Sequence, residues 1–88
     1  MKYYSVYEMV VDRKKYIGCT GQSISTRMAK HRYDARYDKL PVHKALNKAG
    51  LFNATVKILS KTVNRDKALA TEARLIKQNK PQLNVYLK

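Results

Sequence analysis

Five side chains in this sequence have the types and spacing that suit phosphoryl chemistry. Tyr7 and Tyr16 lie on either side of one short charged stretch. Arg27 and His31 are one helical turn apart, so they share a face of any helix that contains both. Glu72 is an acid inside a predicted apolar stripe. One carboxylate cannot hold two metal ions, but it suits a single Mg²⁺ that keeps several waters and takes further ligands from a substrate phosphate.

The two tyrosines are expected to lie on one face of a β-hairpin. Residues 3–11 have the pattern of a strand, residues 12–15 read as a turn, and the return strand begins at Tyr16. An even-length hairpin loop pairs residues whose numbers have an odd sum. Tyr7 and Tyr16 therefore point to the same face, opposite or diagonal to each other. Packing alone is the alternative explanation, because tyrosine favours strands.

Three helices and a third strand complete the predicted fold. The helices cover residues 23–39, 41–50 and 65–79, the third strand covers residues 53–60, and residues 83–87 form a short closing strand or an extended tail. Ser23 or Ser25 caps the first helix. Pro41 begins the second helix, and Asn64 caps the third. The order predicts one α+β domain over residues 1–88: a small three-stranded, largely antiparallel sheet flanked by helices.

Helical periodicity places three of the candidate residues beside the core. In the first helix, Arg27 and His31 share the arc of its apolar residues. In the third helix, Glu72 is one turn from both Leu69 and Ile76. Because an unpaired buried carboxylate is costly, Glu72 must reach past the stripe to water, pair with an arginine at the edge of the core, or bind a cation.

The charge balance predicts a polyanionic partner. The chain has 19 Lys and Arg against 6 Asp and Glu, a formal net charge of +13. Such an excess is self-repulsive, and nucleic acid is the expected partner because no helix has the apolar and basic faces of a membrane-binding helix. A single cysteine, no apolar signal segment and no apolar run of about 20 residues predict a cytoplasmic protein.

In these positions the chain resembles the GIY-YIG endonuclease family over nearly its whole length, residues 3–86. The matching positions in chain order are Ser5-Val6-Tyr7 for the first motif, Tyr16-Ile17-Gly18 for the second, the helical Arg27 with His31, the metal-binding Glu72 and the asparagine Asn84. Two departures are visible. Ser5 and Val6 replace the glycine and isoleucine of the first motif, and eight residues separate the two tyrosines, about two fewer than is usual in the family. A two-residue deletion preserves strand parity.

The resemblance implies a metal-dependent DNA endonuclease or nickase of the GIY-YIG type. Tyr7 would accept a proton from the attacking water, directly or through His31, with cationic surroundings lowering the pKa of its phenol. Arg27 would stabilise charge on the phosphate. One Mg²⁺ or Mn²⁺ ion per site, held by Glu72, would neutralise the leaving 3′-oxygen. Tyr16 and Asn84 would orient phosphate or water.

All six site residues are then expected to converge on one pocket on one face of the sheet. A Glu72 in bulk solvent on the far side of the sheet would count against catalysis. Further candidate contacts to nucleic acid are Lys14, Lys15, Lys30 and His43. The alternative for Lys14 and Lys15 is that they are solvated turn residues. The alternative for His43 is that it is a structural histidine at a helix start. Cys19 reads as a small packing residue, and Tyr3, Tyr4, Tyr33, Tyr37 and Tyr86 either stack on bases or pack with a wet hydroxyl.

Two other functions remain open from the sequence. The first is a nucleic-acid-binding module of the same fold without catalysis. The second is a structure-selective nuclease acting on branched DNA or on RNA. One active site cuts one strand, so cutting both requires a second monomer or a second encounter, and sequence specificity would come from a partner protein or from DNA structure. A relation to phages or mobile elements is expected, but the sequence does not distinguish homing, host-genome degradation, restriction and repair.

Overall fold

A computed structural model describes residues 2–37 and 40–84. Its elements in chain order are β1 (Tyr4–Val11), β2 (Lys14–Thr20), α1 (Ile24–Asp34), α2 (Pro41–Ala49), β3 (Ala54–Thr62) and α3 (Arg65–Asn79). The three strands form one antiparallel sheet in the order β2-β1-β3. The predicted α+β class with a three-stranded antiparallel sheet is confirmed. In the described part of the chain, none of the helices has the length and apolar character needed to cross a membrane.

The hairpin turn is shorter than predicted. Val11 pairs with Lys14, so the loop contains only Asp12 and Arg13, whose φ angles are 50° and 64°. Two successive left-handed residues are the mark of a type I′ turn, whose twist matches that of the flanking strands. The predicted turn over residues 12–15 is therefore wrong in its second half. The loop length is even, as the parity argument required.

The helix starts follow the predicted caps, and one helix end does not. The Ser23 side chain accepts a hydrogen bond from the Thr26 N–H, and Asn64 caps α3 through the N–H of Lys67. α1 ends at Asp34, several residues before the predicted end. The predicted closing strand is absent at residues 83 and 84, while the rest of it, and residues 38–39, lie outside the described residues.

The two faces of the sheet are covered by different helices. Cross-strand pairs Tyr7–Gly18 and Met9–Tyr16 point to one face, and pairs Val6–Cys19 and Glu8–Ile17 point to the other. The first face carries the core cluster Met9, Val11, Met28, Ala35, Val42, Leu46 and Leu83, and the second carries Val6, Ile17 and Ala68. We call these the α1/α2 face and the α3 face.

The two edges of the sheet differ in how they are covered. β2 forms one edge, and residues 82–84 run along part of it: the Leu83 N–H donates to the Lys15 carbonyl at 2.9 Å, and the Lys15 N–H donates to the Gln82 side chain at 3.2 Å. β3 forms the other edge and is largely exposed. A bulge interrupts its pairing with β1, since Val6 pairs with Ser60 and Tyr7 with Ile58.

Candidate active site

Tyr7 lies at the centre of a buried polar cluster on the α1/α2 face. Its hydroxyl is 2.7 Å from His31 Nε2 and accepts a hydrogen bond from Arg27 Nε at 3.3 Å. Its ring centroid is 6.2 Å from that of Tyr16, the diagonal arrangement that strand parity predicts. The structure therefore brings together four of the six predicted site residues. Arg27 and Tyr16 remain partly exposed, whereas Tyr7 and His31 are buried.

The absence of a side chain at Gly18 leaves space for the rings of Tyr7 and Tyr16. A Cβ atom at this position would lie 2.6 Å from Tyr7 Oη and 2.9 Å from Tyr16 Cε1. Both distances are shorter than any normal contact, so a larger residue would displace one ring or both. The glycine of the second motif is thus required by the close approach of the site's side chains to the strand.

A second histidine lies behind His31. His43 Nε2 is 3.1 Å from His31 Nδ1, and only 4% of His43 is exposed. The prediction that His43 contacts nucleic acid is therefore wrong, because the ring lies in the core. The sequence did contain a signal for the burial of His43, because this residue lies beside Val42 and one turn from Leu46. Both of these are buried core residues of α2.

Burial keeps both His31 and Tyr7 neutral near pH 7. It lowers the pKa of His31 to about 4, with further contributions from Arg27 and His43. It also raises the pKa of Tyr7, as does Tyr16, and these effects outweigh the opposing hydrogen bond from Arg27. The expected lowering of the Tyr7 pKa by cationic neighbours is therefore wrong for this state. A neutral His31 can accept the Tyr7 hydroxyl proton at Nε2, which leaves Nδ1–H to donate to His43.

Glu72 lies on the opposite face of the sheet. It belongs to the stripe of α3 that packs on the α3 face through Ala68, Leu75 and Ile76, whereas the predicted stripe residue Leu69 is 38% exposed. The expectation that all six site residues lie on one face is therefore wrong for Glu72. The carboxylate is not in bulk solvent either: Glu72 is partly buried, and burial raises its pKa.

Glu72 and the buried polar cluster around Tyr7 nevertheless lie on either side of the same stretch of β2, an edge strand of the sheet. Burial raises the pKa of the Cys19 thiol, and the Glu72 carboxylate raises it further, which places the two groups close together on the α3 face. Cys19 directly follows Gly18, over which the Tyr7 hydroxyl lies on the other face. A phosphate at the outer edge of β2 beside these two residues would have the cluster on one side and Glu72 on the other.

Asn84 anchors the chain to that edge. Its Oδ1 accepts a hydrogen bond from the Ile17 N–H at 2.9 Å, and its Nδ2 donates to the Ile17 carbonyl at 2.8 Å. Since both ends of the amide bind the strand backbone, Asn84 positions the motif containing Tyr16 and Gly18 rather than offering its amide to phosphate. The outward backbone groups of Lys15 and Ile17 are thus occupied, and by strand alternation the next outward pair belongs to Cys19.

Most of the remaining candidates have local partners. Lys30 pairs with Asp34 at 3.3 Å on the surface of α1, and Lys15 is 4.0 Å from Glu8, while Lys14 is exposed. The exposed rings of Tyr33 and Tyr37 contact each other, with centroids 5.5 Å apart. Tyr4 and Cys19 pack against the core of the α3 face, as a packing role predicts. Tyr86 is outside the described residues.

The donor set fits a site with one protein carboxylate. Across residues 2–37 and 40–84, no three His, Cys, Asp or Glu side chains are grouped to hold a metal. Within the same ranges, Glu72 has no hydrogen bond or ion pair, so its partly buried carboxylate is available to a cation whose other ligands are water and phosphate. Comparisons with protein-family models, curated proteins and solved structures found no match to this chain.

Proposed function

We propose that this protein is a metal-dependent nuclease of the GIY-YIG type that hydrolyses phosphodiester bonds in DNA. The observation that carries the proposal is the hydrogen-bonded line from Arg27 through Tyr7 to His31 and His43. A packing tyrosine needs one partner for its hydroxyl, and this hydroxyl has a cationic donor and a neutral imidazole acceptor at once. The net charge of +13 supports a polyanionic substrate.

The line of hydrogen bonds gives a path for the proton of the attacking water. As Tyr7 takes that proton on its oxygen, its own proton moves to His31 Nε2, and the Nδ1 proton of His31 moves to His43 Nε2. His31 is a weak base in this state, with a pKa of about 4. Substrate phosphate beside Arg27 would offset the cationic field that helps to depress this pKa.

Access to the Tyr7 hydroxyl requires a side-chain movement. Tyr7 is fully buried, whereas Arg27 is partly exposed and covers the hydroxyl through a long 3.3 Å contact. A phosphate that binds the Arg27 guanidinium would draw it away from the phenol and so uncover the oxygen. Catalytic contacts are often loose before substrate binds, so the observed geometry is compatible with a base at this position.

Glu72 would bind the metal ion from the other side of the β2 edge. A Mg²⁺ or Mn²⁺ ion held there supplies an electrophile for the leaving 3′-oxygen. Arg27 would neutralise the non-bridging oxygens, and Tyr16, which is partly exposed over Gly18, would orient the phosphate. In this arrangement the scissile phosphate lies beside Gly18 and Cys19, where residues 82–84 no longer cover the strand.

The test removes one oxygen atom. Tyr7→Phe deletes the hydroxyl and keeps the ring, and its matched control is Tyr33→Phe, which makes the same change at a side chain that is 60% exposed. Wild-type protein and both variants are incubated with linear duplex, branched and single-stranded DNA and with RNA in Mg²⁺ or Mn²⁺. We expect cleavage by wild type and Tyr33→Phe, and a loss of at least about a hundredfold in Tyr7→Phe. Equal rates for the two variants would refute the proposed role of Tyr7.

A binding module without catalysis is the second candidate function. It is favoured by the burial of Tyr7 and by the position of Glu72 on the α3 face. Such a module would bind DNA with the same steep salt dependence, because the charge of the chain is unchanged. It would cut none of the substrates above at any metal concentration, which separates it from the nuclease in one experiment.

A further inference from the structure

A groove beside the buried polar cluster around Tyr7 has the features of a binding site for nucleic acid. Its volume is about 390 Å³, within the range of small-ligand pockets. Its lining includes Lys2, Tyr3, Ser5, Ile24, Ile58 and Lys61. It lies on the α1/α2 face between β3 and the start of α1, and we call it the entry groove.

The entry groove is adjacent to the candidate catalytic residues. Ile58 is the cross-strand partner of Tyr7, and Ser5 is two residues from Tyr7 on the same face of β1. Ile24 is one turn before Arg27 in α1. A chain that lies in the groove would therefore continue onto the guanidinium of Arg27.

The polar groups of the groove suit a phosphate. Lys2 and Lys61 supply two ammonium groups, and the groove also borders the N-terminal end of α1, which favours anions. Ser5 also lines the groove, and its hydroxyl can donate a hydrogen bond to a phosphate oxygen there.

The apolar groups of the groove suit an unpaired base. Tyr3 and Ile58 are 47% and 48% exposed, and the Lys61 ammonium is 5.0 Å from the Tyr3 ring centroid, so charge and aromatic surface lie together. A duplex presents phosphates and keeps the faces of its bases stacked inside. A single strand presents both, and alternating phosphate and stacking contacts are how proteins bind it.

We propose that the entry groove binds one unpaired nucleic-acid strand and leads it to Tyr7. Lys61 and Ser5 contact a phosphate near the one that is cut, and Tyr3 stacks on a base. This inference rests on the proposed nuclease function and names its substrate: a single strand, or the unpaired part of a branched or frayed duplex.

The test measures binding in EDTA, so that it does not depend on cleavage. A fluorescein-labelled oligothymidylate and a blunt duplex of equal length are titrated by anisotropy against wild type, Lys61→Gln and Lys57→Gln. Lys57 is the matched control because it is exposed on the same strand but pairs with Glu8 and so points to the other face. We expect Lys61→Gln to weaken single-strand binding severalfold more than Lys57→Gln does, with no such difference for duplex.

Two further variants keep the test independent of folding. Ser5→Ala should weaken single-strand binding and leave the melting temperature unchanged, because no hydrogen bond within the described residues is lost with the hydroxyl. Tyr3→Ala should weaken it at least about fivefold, the equivalent of one lost stacking contact. Equal losses for Lys61→Gln and Lys57→Gln, or equal losses for duplex and single strand, would overturn the proposal. Tight binding by a wild type that cuts nothing would instead refute only the nuclease.

Discussion

Lowering the pH from 7 to 5 is expected to destabilise this fold by about 2 kcal/mol through His31 alone. The pKa of His31 is lowered from 6.5 to about 4 in the folded protein, chiefly because the ring is buried with 1% exposure. Between these two values the unfolded chain binds a proton that the folded chain does not. The stabilising contribution is therefore fully present above pH 6.5 and is lost as the pH falls toward 4.

The magnitude follows from the two pKa values. Protonation of an unperturbed histidine at pH 5 favours the unfolded state by roughly 2 kcal/mol, against about 0.2 kcal/mol at pH 7. Over the whole interval the limit is about 3.4 kcal/mol, from a shift of about 2.5 pKa units. A loss of this size is a large fraction of the total stability of a small domain.

The assay is urea unfolding of wild type and His31→Gln at pH 7 and at pH 5. His31→Gln keeps a polar group near Nε2 but does not titrate, so the drop between the two pH values should be about 2 kcal/mol smaller than in wild type. Carboxylates and other groups that do not interact with His31 contribute equally to both proteins and cancel in the comparison. Equal drops in the two proteins would refute the assignment of a depressed pKa to His31, whatever the cost of the substitution at pH 7.

Three further outcomes are expected. Glu72→Gln should abolish cleavage and leave DNA affinity and melting temperature intact, because a neutral amide is cheaper to bury than a carboxylate without a partner. A lower melting temperature with unchanged activity per folded molecule would show that Glu72 has a structural role instead. Gly18→Ala should lower the cleavage rate about a hundredfold by displacing Tyr7, without loss of DNA binding, and an unchanged rate would contradict the crowding at this position. Asn84→Ala should lower the free energy of unfolding by about 1–3 kcal/mol through two lost hydrogen bonds to the β2 backbone, more than Gln82→Ala, and an equal effect would refute the anchoring role.

Local signals in the sequence predicted the elements and the tyrosine pair. Asn64 and Pro41 marked helix starts because capping and the fixed φ of proline act within a single turn. Strand parity predicted that Tyr7 and Tyr16 share a face, since alternation does not depend on tertiary packing. The same reasoning could not find the end of α1 at Asp34, because the polar residues that follow are compatible with a helix.

The errors at the site concern tertiary packing. Helical periodicity showed that Glu72 points inward, but periodicity does not say which face of a sheet a helix covers, and α3 packs on the face opposite Tyr7. The sequence left a nucleic-acid contact and a structural role open for His43, because its contact with His31 joins two helices and is not visible in a local pattern. The pKa of Tyr7 was expected to fall because the sequence shows nearby positive charges but not the depth of burial, which dominates.

The two edges of the sheet are covered to different extents, and this difference has a consequence for self-association. Residues 82–84 occupy part of the β2 edge, so a strand from another molecule could add more readily along β3. That strand carries Lys57 and Lys61 and a bulge, features that discourage edge-to-edge pairing and amyloid-like growth. Neutralising either lysine therefore removes a charge that opposes edge-to-edge pairing along β3, and the Lys57→Gln and Lys61→Gln proteins are best kept dilute.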